Sequence, residues 1–206
     1  MWTGAGLLWL IAVVAGLSLL ARYERAPGLP ADARAQWPAG TRLALDASRP
    51  TLVMLAHPRC TCTRASLAEL AEVMARARSR PKAYVVFIKP GVMPADWEHS
   101  DLWQASARIP DVTIVRDDGG VEAQRFGAET SGQTFLYDAA GRLLFSGGTT
   151  GARGHEGDNA GRASILALLN RERTTMASSF VFGCSLFATG DRPTSEESTL
   201  HADLRN

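Results

Sequence analysis

The first 21 residues carry no charged side chain, and positions 6–20 are almost wholly apolar. A helix rises 1.5 Å per residue, so about 20 such residues cross the roughly 30 Å hydrocarbon core of a bilayer. Trp2 suits an interfacial belt and Trp9 the lipid face. A cleaved signal sequence is the competing reading, but the basic n-region is missing and no clear small-x-small cleavage site follows Leu20. The pattern favours an uncleaved anchor over residues 1–22. Arg22 and Arg25 lie on its C-terminal side, and by charge alone they would keep the following chain cytoplasmic.

Residues 23–39 hold Pro27, Pro30 and Pro38 among small residues, which predicts an extended tether. A domain is expected over residues 40–172. Residues 41–46 alternate like a half-buried strand, and 51–56 form a continuous apolar run typical of a buried strand. Leu67, Leu70, Met74 and Ala77 recur at helical spacing, with Ser66 and Glu69 placed for a capping box near the helix start. A buried-type strand follows at 83–88, then a helical region over 96–109 with Trp97 and Trp103 as anchors. Residues 112–115 read as a short strand and 117–120 as a turn; 133–138 and 143–146 read as a hairpin.

A glycine-rich loop over 147–161 leads to a last helix from Arg162 to about Asn170, with Asp158 or Asn159 as its cap. An apolar patch spans 178–187. Residues 191–206 are polar and read as disordered, so 173–206 is expected as a partly disordered tail. Strand, helix, strand, helix, strand, hairpin and helix together make an α/β order: parallel strands first, then an antiparallel pair closing a mixed sheet flanked by helices.

Composition narrows the function. With 206 residues, 46% apolar and 21% charged, the chain can build one packed domain plus appendages. Its net charge of +1 gives no basic surplus for a nucleic-acid surface, so no nucleic-acid partner is expected. Three cysteines are too few for a disulfide scaffold, but Cys60 and Cys62 stand two residues apart between a buried strand and a helix. A helix N-terminus and neighbouring cations lower a thiol pKa. Cys60 sits where the helix should begin, between Arg59 and Arg64, and is expected to be a thiolate.

Cys62 is the nearest thiol to resolve it. Residues two apart in a regular helix point to nearly opposite sides, so a Cys60–Cys62 disulfide needs Cys60 in the loop and makes a strained ring. Strained disulfides are oxidising, which suits a disulfide donor or isomerase better than a strong reductant. Two other readings stand beside redox exchange. Thiolates with imidazole select copper or zinc, and Cys60, Cys62 and His155 form a candidate copper set, with His57 three residues before Cys60. A non-catalytic module with both cysteines as small apolar fillers is the third. The glycine loop lacks a Gly-Lys-Ser/Thr ending, which excludes a phosphate-binding loop. For Cys184 to join the pair, its Cα must approach within about 7 Å; a patch between a weakly structured segment and a polar tail favours a thiol outside the cycle.

The run His57-Pro58-Arg59-Cys60-Thr61-Cys62-Thr63-Arg64-Ala65-Ser66, with matching segments over 130–148 and 153–158, resembles membrane-anchored RedB-type proteins within the thioredoxin-like superfamily, across roughly residues 40–170. The resemblance implies a thioredoxin-like fold, an extracytoplasmic domain, protein thiols or disulfides as partners, and Cys60 as the attacking cysteine. Two departures stand out. The spacing is Cys-x-Cys rather than Cys-x-x-Cys, and Gly132 occupies the position of the thioredoxin cis-proline. Thioredoxin-fold copper chaperones place a histidine near positions 132–133, where this chain has none.

Overall fold

The computed structural model describes residues 2–91, 93–94, 96–174 and 176–187. Helix α1 (Trp2–Arg25) is followed by β1 (Thr51–Ala56), α2 (Thr61–Arg76), β2 (Lys82–Lys89), α3 (Asp101–Ala107), β3 (Val112–Asp118), α4 (Val121–Phe126), β4 (Thr134–Tyr137), β5 (Leu143–Gly147) and α5 (Ala160–Leu169). The five strands form one sheet in the order β3-β2-β1-β4-β5. β1, β2 and β3 run parallel, while β4 is antiparallel to β1 and β5 antiparallel to β4.

The continuous apolar runs of β1 and β2 are explained by burial on both faces. Leu52, Met54, Val85 and Phe87 enter one core with Leu67, Leu70, Val73 and Met74 of α2 and Ile165 and Leu169 of α5. The alternate residues Val53, Leu55, Tyr84 and Val86 enter a second core with Phe126 of α4, Phe135 and Tyr137.

From Gly4 to Arg25 α1 has no buried residue and is, among the described residues, the one helix long and apolar enough to cross a membrane, a property that a signal sequence shares. At 24 residues it extends roughly 36 Å.

Residues 26–39 are not a free tether. Gly28 N–H donates to Val181 O at 2.8 Å, Asp32 N–H to Gly127 O at 2.8 Å, and Trp37 N–H to Gly141 O at 2.7 Å. Trp37 packs edge-on against Phe126 and Tyr137, with centroids 5.3 and 5.2 Å away. Proline and small residues set an extended path there, and the one large aromatic fastens it to the second core.

Other expectations are corrected in the same way. Residues 41–46 form no strand: Leu43 and Leu45 pack on the second core, which produces the alternation without a ladder. α2 begins at Thr61 with Cys60 as N-cap, so Ser66 and Glu69 lie inside the helix and form no capping box. Only Asp101–Ala107 of the 96–109 region is helical, because Ser100 caps it by accepting from Trp103 N–H. α4 is an additional helix, started by Gly120 and by Asp117, whose carboxylate accepts from the N–H groups of Glu122 and Ala123 at 2.9 Å. Asn159, as expected, caps α5 by accepting from Arg162 N–H at 2.8 Å. The polar stretch 191–206 lies outside the described residues.

Candidate active site

The cysteine pair sits where β1 gives way to α2. Cys60 N–H donates to His57 O at 3.1 Å, and Cys60 O accepts from Thr63 N–H at 3.0 Å, so the turn flows directly into the helix. Cys60 has extended backbone angles and no side-chain cap of its own. Cys60 thus stands at the helix start on non-helical backbone, on the loop side of α2. Cys60 is 1% exposed and Cys62 7% exposed.

A neighbouring loop, residues 130–133, closes the site. Gly132 N–H donates to Leu55 O at 2.8 Å, and Leu55 N–H to Gln133 O at 2.9 Å. Ser131 Oγ accepts from His57 N–H at 2.8 Å and lies 2.7 Å from Thr63 Oγ1, joining the turn before Cys60 to the residue three after it. Gly132 has φ +90°, and a Cβ there would come within 2.7 Å of Ser66 Oγ. Glycine at this position thus serves backbone conformation and close packing at once. Among the described residues no peptide bond is cis.

The apolar patch 178–187 returns to this loop, against the expectation of a tail apart from the site. Thr130 and Ser185 form an antiparallel bridge, Ser131 N–H donates to Cys184 O at 2.8 Å, and Leu186 N–H donates to Glu129 O at 2.9 Å. Val181 and Leu186 are buried. Gly183 lies so close to Ser131 O that any side chain would overlap it. This arrangement places Cys184 beside Cys60. The sequence signal was an apolar patch in an otherwise polar C-terminal region, and the pairing it makes with residues 129–131 is long-range.

The electrostatics centre on Cys60. Its thiol is lowered from 9.0 to about 4, first by the hydrogen bond from the Cys184 thiol; burial opposes this, and the Cys184 N–H and the hydroxyl and N–H of Thr63 reinforce it. Cys184 is pushed far up, first by that same hydrogen bond and then by burial and the charge of Cys60. Cys62 is raised by burial and then by the Cys60 charge, with Arg153 opposing; it also donates to Cys60. Of the three thiols, Cys60 is thus the one favoured as a thiolate, and Cys62 and Cys184 are the ones held toward the protonated form. His57 is lowered by burial, the Cys60 charge opposing and Arg59 adding to the shift.

The arginines expected to hold the thiolate are turned elsewhere. The Arg59 guanidinium lies 5.5 Å from the Trp97 ring centroid. Arg64 makes an exposed ion pair with Asp101. The cation that bears on Cys62 and Cys184 is Arg153, which donates to Gly183 O at 2.5 Å and to Ala26 O at 3.2 Å and stacks over Tyr23 at 5.0 Å. His155 faces Glu24 at 3.6 Å, so the set Cys60, Cys62 and His155 is not assembled. Among the described residues no group of three or more His, Cys, Asp or Glu side chains could hold a metal ion.

A mixed five-stranded sheet with three parallel strands, an antiparallel pair, flanking helices and a cysteine at the start of the first domain helix defines a thioredoxin-like fold. No protein family and no curated protein matches the chain. Among solved structures it is similar to an uncharacterized conserved protein from Geobacillus kaustophilus, with TM-score 0.58 and 15% identity over 81% of this chain and 94% of that one. A hypothetical protein from Sinorhizobium meliloti 1021 gives TM-score 0.55 and 22% identity over 80% and 96%. An exposed lipoprotein thioredoxin from Streptococcus pneumoniae gives TM-score 0.44 and 18% identity over 61% and 86%.

Proposed function

We propose that this protein is a membrane-anchored thiol–disulfide oxidoreductase of the RedB type, with its domain outside the cytoplasm and Cys60 as the nucleophile. The observation that carries the reading is the environment of Cys60: a thiol at a helix start, ringed by hydrogen-bond donors and held at about 4. The thiolate is the form that attacks a disulfide. Stabilising it also stabilises the reduced protein, so its disulfide is comparatively oxidising. Such a protein passes disulfides to, or exchanges them among, partner protein thiols. Compartments outside the cytoplasm are where protein disulfides persist, and α1 supplies a span to hold the domain at the bilayer.

The test is an exchange assay on the full chain in detergent, using a mixed-disulfide peptide as substrate. Cys60→Ser should abolish activity, and His155→Ala should leave it at the wild-type level. Stoichiometric copper(I) binding lost in both variants, with no exchange in the wild type, would instead make the protein a metal chaperone. Protease added to right-side-out vesicles should cut the domain and in inverted vesicles should spare it; the reverse pattern places the domain in the cytoplasm.

A further inference from the structure

We infer that Cys184, not Cys62, is the thiol that resolves Cys60, so that the oxidised protein carries a Cys60–Cys184 disulfide between the start of α2 and the C-terminal segment. The inference rests on Cys60 being the nucleophile and concerns which sulfur completes its cycle.

Position carries the argument. Cys184 is fixed opposite Cys60 by a chain of bonds independent of either sulfur: its carbonyl accepts from Ser131 N–H, and Ser131 Oγ is bonded to His57 N–H and close to Thr63 Oγ1 on either side of Cys60. Gly183 O is held by Arg153, and Ser185 is bridged to Thr130, so the residues flanking Cys184 are anchored too. Nothing in a disordered or incidental tail would require a glycine at 183 to let the backbone approach Ser131 so closely.

Both remaining thiols lie close enough to Cys60 to bear on its charge, but that proximity tolerates a sulfur separation that a disulfide does not. The covalent bond needs about 2.05 Å and a Cβ–S–S–Cβ dihedral near 90°. Cys62 is the second residue of α2, two positions from Cys60. Closing that ring works against the first helical turn, where residues two apart diverge. Cys184 lies on non-helical chain and is half-buried. It can swing its sulfur to Cys60 without unwinding α2.

Burial sets the order of events. Cys60 is 1% exposed, so an incoming disulfide reaches it only after a local opening, and in this cycle residues 183–186, which carry Cys184, lift away to provide it. The Cys60 thiolate attacks one sulfur of RS–SR′, forming Cys60–S–S–R and expelling R′S⁻. As the segment re-seats, Cys184 gives its proton to R′S⁻ and its thiolate attacks the Cys60 sulfur, expelling RS⁻. Two electrons pass from the two protein sulfurs to the substrate disulfide, which leaves as R′SH and RS⁻. Run backwards, the same steps donate a disulfide to a substrate dithiol. Cys62 stays protonated and forms no bond in this cycle.

The test maps the oxidised bond. Full-chain protein in detergent is treated with oxidised glutathione, capped with iodoacetamide and digested with trypsin without reduction. Fragmentation of the linked peptides by mass spectrometry should place Cys60 itself, within the tryptic peptide 60–64 that also holds Cys62, in the bond to the peptide carrying Cys184, in wild type and in Cys62→Ser alike; a bond from Cys62 to Cys184 in the wild type overturns the inference. In Cys184→Ser that link should be lost and glutathione should persist on Cys60. Capped Cys184 with a closed Cys60–Cys62 ring in the wild type overturns the inference and leaves the exchange reading standing. Cys60 neither bonded nor glutathionylated in any variant removes the exchange reading, and this inference with it.

Discussion

The charge on Cys60 depends on a residue 124 positions further along the chain (184 − 60), not on the arginines beside it. Arg59 and Arg64 were the visible cations in the sequence, but side chains adjacent in sequence to a helix start can turn to other partners, here Trp97 and Asp101. That Cys60 would begin the helix was legible, because the apolar run of β1 and the helical spacing from Leu67 bracket it. The roles of Thr63, Ser131, Arg153 and Cys184 were not, because each depends on contacts between distant segments. The depressed pKa has a direct consequence. Iodoacetamide labelling of Cys60 in reduced protein should rise with an apparent pKa near 4 rather than near 9. Cys184→Ala removes the largest cause and should move that midpoint upward. The contribution of Cys60 itself has a definite sign: its folded pKa lies below the unfolded one, so it adds stability that is complete above about pH 9 and lost as pH falls toward 4, while the raised Cys62 and Cys184 oppose it above about pH 9. A labelling midpoint of 8 or above in the wild type would contradict the described environment.

At the level of elements, apolar periodicity located β1, β2, α2, the hairpin and α5, since burial on one or two faces writes a local pattern. It misread 41–46, where two leucines pack without pairing, and missed α4, which is only six residues long. The proposed capping role of Glu69 fails for an informative reason. Glu69 is 2% exposed, and its carboxylate accepts from Arg162 at 2.5 Å, from Gly157 N–H at 2.6 Å and from Asn159 Nδ2 at 3.3 Å. Arg162 in turn meets Asp158 at 2.6 Å. This buried cluster ties α2 to α5 and to the glycine-rich loop that carries Arg153. Breaking a buried pair costs about 3–5 kcal/mol; here Arg162 keeps Asp158, so the loss on removing Glu69 falls at the lower end of that range. Glu69→Ala should lose stability of that order in urea unfolding of the full chain, and a loss under about 1 kcal/mol would show the pair to be solvated.

Across the whole molecule, a long apolar helix leads into a thioredoxin-like domain that is wrapped from both ends. Residues 26–39 and 178–187 meet directly through Gly28 and Val181. The order of elements was readable from the sequence, whereas the wrapping was not: proline-rich and patchily apolar segments look like tethers until their few large side chains find a core. The C-terminal wrap carries Cys184 to the cysteine pair, and Ala26 and Gly183 accept from Arg153 of the glycine-rich loop, so the site draws on segments far apart in the chain. In the proposed function, Cys60 exchanges disulfides with other proteins from a membrane-held domain. That exchange is tested by trapping in the 206-residue chain with both candidate resolving thiols removed, Cys62→Ser with Cys184→Ser. Carbonate-washed membranes analysed on non-reducing gels should show this variant in mixed disulfides with partner proteins, all linked through Cys60 and absent when Cys60→Ser is added. Recovery of the protein free of adducts, or the same adducts without Cys60, would contradict it.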